Sequence, residues 1–186
     1  MDGEKHKELS LDVKVQVLPT NGLRIKLEPT SEQLKLMVKV ADIVSIERFV
    51  AELEFRRWQK KGVSVKGKVF AQITQQCVIT LEPVSSEVNE EIDRIFVPPG
   101  SKYLKPTFDD DGELVLDYDG RDEPELYEGT TLDAWEIAME HFTLGIDPFP
   151  RAEGAELEEL GLAEEVETED EKISPFAALK DLYKPK

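Results

Sequence analysis

A chain of 186 residues has room for one domain with a real core and leaves a second independent core a tight fit. With 40% hydrophobic and 34% charged residues, part of the length is expected to lie outside any packed core. A single cysteine excludes an internal disulfide framework and a cysteine-rich zinc site within one chain, and no run approaches the roughly 20 apolar residues of a membrane span, so a cytosolic, membrane-free protein is expected.

Taken in chain order, Leu9, Leu11, Val13, Val15 and Val17 alternate with Ser10, Asp12, Lys14 and Gln16, which predicts a first strand over 9–18. A helix over 30–42 follows, with Thr30 and Gln33 placed for a capping box and Leu34, Met37, Val38 and Ala41 on one face. From 45 to 58 the period returns to two, with Phe49, Ala51, Leu53 and Phe55 facing inward. Turn residues at 59–62 lead into a second run over 63–82, where Val63, Val65, Val69, Ala71, Ile73, Cys77, Ile79 and Leu81 share one parity. These two runs predict an antiparallel hairpin. A third run over 84–97 is stopped by Pro98, Pro99 and Gly100.

Residues 101–129 are acidic and turn-rich, with Asp111 and Gly112 placed to join short strands at 107–108 and 114–116. A second helix is expected over 131–144, capped by Thr130 or Thr131, striped by Leu132, Trp135, Met139 and Phe142, and stopped at Gly145. The fold class that results is α+β: a mostly antiparallel, curved sheet covered by two helices, within residues 1–150. Beyond it come a disordered acidic linker over 151–172 and a short amphipathic docking motif over 173–186 that carries Phe176, Leu179 and Leu182.

Charge is divided unevenly. Residues 1–72 hold 14 Lys+Arg against 10 Asp+Glu, while residues 73–186 hold 9 against 30, so a chain of net charge -17 has a basic end. Its densest part is RRWQKKGVSVKGK, residues 56–68. There Arg56, Arg57, Lys60, Lys61, Lys66 and Lys68 can meet phosphates from a hairpin tip, and Trp58 offers a stacking face for an unpaired base. The same residues also suit plain solubilisation and guarding of a hairpin end.

Other constellations are weaker. Cys77 shares parity with the apolar positions and reads as a core residue. Asp133, Glu136 and Glu140 fall along one edge of the second helix; an ion-paired edge or a docking face for a protein partner explains them better than a metal-dependent hydrolase. The acidic runs near Asp109 and Asp117 lack the glycine and glutamate of a calcium loop, and only His6 and His141 exist to serve a catalytic triad. No catalytic residue, metal or cofactor is expected.

Three segments follow one another along the chain: QCVITLEPV (76–84), LDAWEIAMEHFTLGIDP (132–148) and SPFAALKDLYK (174–184). Their order resembles the YceD-like family of bacterial and plastid proteins, named for accumulation of large-subunit ribosomal RNA. Where many family members have a second cysteine three residues after the first, this chain has Thr80. The resemblance implies a role in maturation or accumulation of large-subunit (23S) rRNA, and a non-catalytic factor that binds rRNA or a pre-ribosomal particle is expected. An adaptor that docks a processing enzyme or ribosomal protein, through the acidic helix and the C-terminal motif, is the alternative.

Overall fold

The computed structural model describes residues 9–104 and 123–155, and nearly all of these fall in the unit Met1–Ala152. Its elements are β1 (Asp12–Lys14), β2 (Leu23–Leu27), α1 (Ser31–Ala41), β3 (Ser45–Trp58), β4 (Gly62–Gln76), β5 (Pro83–Val97), β6 (Glu125–Leu126), β7 (Thr131–Asp133) and α2 (Ala134–Leu144). Among the described residues no helix is long and apolar enough to cross a membrane.

The expected β3–β4 hairpin is the centre of the fold. It is paired from Ser45 opposite Thr74 to Trp58 opposite Gly62, and β5 continues it with Val63 opposite Phe96 and Gln76 opposite Pro83. Strand order is β2-β3-β4-β5-β6, antiparallel throughout except for the parallel β5–β6 pair, and the sheet stays open. Because side chains alternate across a strand, Phe49, Ala51, Leu53 and Phe55 of β3 and Val63, Val65, Val69, Ala71 and Ile73 of β4 all turn to one face and are buried there.

Helix α2 covers that face against β4 and β5, and stacks Trp135 on Phe49 at 5.9 Å while Phe142 meets the same ring edge-on at 5.4 Å. Helix α1 packs against β3 and buries Met37. Its start is fixed as the sequence predicts: Gln33 N–H donates to Thr30 Oγ1 at 3.3 Å, and Thr30 N–H donates to Gln33 Oε1 at 2.9 Å.

Several expectations are corrected. The strand expected over 9–18 shrinks to β1, because Val15–Val17 turns into one turn of 3-10 helix and leaves Leu11 and Val17 exposed. β1 does not join the main sheet but pairs with β7 in a separate two-stranded ribbon; the edge place goes to β2, where Leu23, Ile25 and Leu27 alternate with Arg24 and Lys26. The second long run ends at Gln76 rather than 82, so Leu81 lies exposed with a positive φ of 61°. The second helix begins three residues late. Thr131–Asp133 is strand, and Asp133, not a threonine, caps α2 by accepting from Trp135 N–H at 2.9 Å. The strands expected at 107–108 and 114–116 and the motif over 173–186 lie outside the described residues.

Cys77 is buried, as its parity predicts, but in a tight turn rather than in a strand. Thr80, Ala152 and Ile79 all aim backbone N–H groups at its sulfur, at 3.3, 3.3 and 3.4 Å. Hydrogen bonds from Thr80, then from Ala152, draw the thiol down from 9.0 to about 6, against the opposing pull of burial. A depressed acid adds stability above its ordinary value and loses it as pH falls through the folded value. Stability of the native chain should therefore rise between about pH 6 and pH 9 relative to a Cys77→Ala variant. Urea midpoints of the two proteins at pH 5, 7 and 9 check this; a constant difference would contradict the thiolate.

Candidate nucleic-acid interface

The six cations of residues 56–68 share a hairpin, but the strand register separates them. On the outer face of the sheet, Arg24, Glu54, Lys66 and Asp93 form one row across four strands, and Lys26, Glu52, Lys68 and Glu91 form the next. Signs alternate at every step, so each strand carries a column of one charge beside a column of the other. Lys66 Nζ lies 2.9 Å from Asp93 Oδ2 and Lys68 Nζ lies 3.8 Å from Glu52 Oε2. Arg56 and Arg24 both reach Glu54, at 3.0 and 2.9 Å, and hold its carboxyl below the usual range. The trough of about 580 Å³ at these rows is lined by both signs. A face so self-neutralised offers little net field to a polyanion.

Arg57 is spent on architecture. Its Nε donates to the Leu18 carbonyl at 2.9 Å and its Nη2 to that of Gln16 at 3.5 Å, which ties the segment after β1 to the hairpin.

Lys60 and Lys61 remain at the tip, exposed and without an ion pair among the described residues. Beside them lies Trp58, half-buried, with its indole across Gly62: a Cβ on Gly62 would sit 2.8 Å from the indole Cε3. The turn after β5 completes the arrangement. Tyr103 meets Trp58 edge-on at 4.7 Å, and the Lys102 ammonium lies 4.9 Å from the Tyr103 ring centre. The two turns border a cleft of about 550 Å³. Tyr127 Oη donates to the Lys61 carbonyl at 3.2 Å and holds the tip from the side. Lys102 and Tyr103 were not legible as site residues, since they follow a Pro-Pro-Gly break and come beside the tip only through β4–β5 pairing.

The carboxylates expected to form one helix edge are split by role. Asp133 precedes α2 and also accepts from Leu11 N–H at 2.9 Å. Glu140 is ion-paired with Arg94 of β5, which also binds Glu125 of β6; the guanidinium, 14% exposed, thus joins three elements. Only Glu136 stays exposed without such a partner. Among the described residues no three His, Cys, Asp or Glu side chains converge to hold a metal ion. Phe176, Leu179 and Leu182 lie outside the described residues.

Residues 65–183 match a family model described as large ribosomal RNA subunit accumulation protein YceD. No curated protein and no solved structure matches the chain.

Proposed function

The chain belongs to the YceD family of large ribosomal RNA subunit accumulation proteins, and from that premise we propose that it acts as a non-catalytic factor that contacts ribosomal RNA through its hairpin tip. The observation that supports this is the sorting of the basic stretch. Arg56, Lys66 and Lys68 are matched by carboxylates and Arg57 by carbonyls, whereas Lys60 and Lys61 stand exposed beside Trp58, with Lys102 across the cleft. In a chain of net charge -17, the cations of residues 56–68 left unmatched at one point concentrate this stretch's attraction for phosphate there.

The contact patch is therefore smaller than the seven residues the sequence suggests, and it gains Lys102. Three lysines neutralising three phosphates give a log-log salt slope of about -2 on single-stranded RNA. Fluorescence anisotropy of a labelled ribosomal RNA fragment, titrated from low to moderate salt, measures it. The double variant Lys60→Glu/Lys61→Glu should lose at least about tenfold in affinity at low salt. A salt-independent affinity, or full binding by that variant, would overturn the proposal.

A further inference from the structure

We infer that the cleft between the two turns takes an unpaired nucleotide of a single-stranded RNA segment, stacked on Trp58, with Tyr103 as the side wall and Lys60, Lys61 and Lys102 on the flanking phosphates. This rests on the RNA-contact reading and adds to it the class of RNA. Three features of the structure carry it.

First, the aromatic pair is built rather than incidental. Gly62 is the residue opposite Trp58 in the β3–β4 register, and only a glycine leaves room for the indole, since any Cβ would meet Cε3 at 2.8 Å and the Phe96 carbonyl at 3.0 Å. Tyr103 is set by its own turn: Ser101 N–H donates to the Pro98 carbonyl at 3.2 Å, and Tyr103 N–H donates to Ser101 Oγ at 3.3 Å. Trp58 thus has a fixed backing and a fixed neighbour at 63° to it. A platform held in place in advance costs little ordering when a base lands on it.

Second, the cleft has the size for a small ligand group. At about 550 Å³ it falls within the roughly 300–1,000 Å³ of small-molecule sites. One base with its sugar fits such a space; a helical stem does not.

Third, the charge ends where the cleft ends. Beyond the tip, the outer face continues as matched rows of opposite sign, so a duplex laid along the sheet finds no further track of cations. A duplex also keeps its base faces stacked inside, and gains nothing from the indole. Only an unpaired segment uses both the aromatic platform and the three ammonium groups.

The test uses the full chain and three labelled ligands: a six-nucleotide single strand, the same sequence as a duplex, and adenosine monophosphate. The single strand should bind at least about tenfold tighter than either of the others. Trp58→Ala should weaken the single strand about 5- to 150-fold, the range of one base–aromatic stack, and leave the duplex unchanged. Trp58→Phe should keep most of the affinity, and Tyr103→Ala, which leaves Trp58 in place, should lose an intermediate share. Equal affinity for strand and duplex, tightest binding of the mononucleotide, or an unaffected Trp58→Ala variant would overturn the inference. If in that case Lys60→Glu/Lys61→Glu still weakens all RNA, the RNA-contact reading stands without it; absence of any RNA binding removes both.

Discussion

Gly67→Ala should lower stability by about 3 kcal/mol, near the top of the range for overpacking a well-filled site. Gly67 lies in the middle of β4 at a position whose parity turns toward the core, between Val65 and Val69. A Cβ there would come within 2.2 Å of the Glu52 carbonyl oxygen, 2.9 Å of Leu53 Cδ2 and 3.1 Å of Leu53 Cα. Two of these three atoms belong to the neighbouring backbone, which cannot swing aside without parting β3 from β4. The third belongs to Leu53, whose side chain is 2% exposed and uses the space a side chain at 67 would need. Urea denaturation should show the loss as a lower midpoint at unchanged slope. Adding Leu53→Ala should recover none of the backbone part. A Gly67→Ala protein within about 0.5 kcal/mol of the parent, the ordinary spread for surface changes, would show that the strands give way easily.

The second large effect is expected at Arg94. Its guanidinium bridges Glu125 and Glu140 and lies 5.1 Å from the Phe96 ring centre, so one side chain joins β5, β6 and α2. Arg94→Met keeps the apolar stem but leaves two carboxylates facing each other across the vacated place. Breaking a fully buried pair costs about 3–5 kcal/mol. Glu125 and Glu140 are 38% and 49% exposed, so water offsets part of that, and about 2 kcal/mol is the expected loss. Arg94→Lys should recover less than half, because a point charge cannot serve two carboxylates in the fork geometry of a guanidinium. Thermal melts of the three proteins at low and high salt check this. Equal stability of Arg94→Met and the parent would mean that packing alone holds β6.

Much of the architecture was legible because β3, β4, β5, α1 and α2 are long and strongly periodic. Thr30 and Gln33, Phe49 to Phe55 and the odd-numbered run through Ile73 behave as their spacing requires. The misses fall on short elements. β2 and β6 have five and two residues, too few for a period to declare itself, and β1 loses its alternation where Val15–Val17 turns into 3-10 helix. At α2, the spacing offers Thr130 or Thr131 as the cap, but Thr131–Asp133 is recruited as β7 to pair with β1, which moves the cap to Asp133. The basic stretch was legible as a stretch and not as a site. Which of its cations stay unmatched depends on Glu52 opposite Lys68 and on Glu54 and Asp93 to either side of Lys66, places that exist only once the strands are in register.

The charge rows and the glycine together bear on how the hairpin finds that register. A slip of two residues between β3 and β4 keeps every side chain on its proper face, and it still sets Glu52 against Lys66 or Glu54 against Lys68. Exposed pairs of this kind are worth about 0–1 kcal/mol each, so the ladder penalises such a slip only weakly. Leu53 penalises it strongly. In register its side chain overlies Gly67, which has none, whereas after a two-residue slip it would face Val65 or Val69. Gly67 therefore acts as the keyway of the hairpin: alignment is proofread by shape at one residue, while the charges beside it tolerate error.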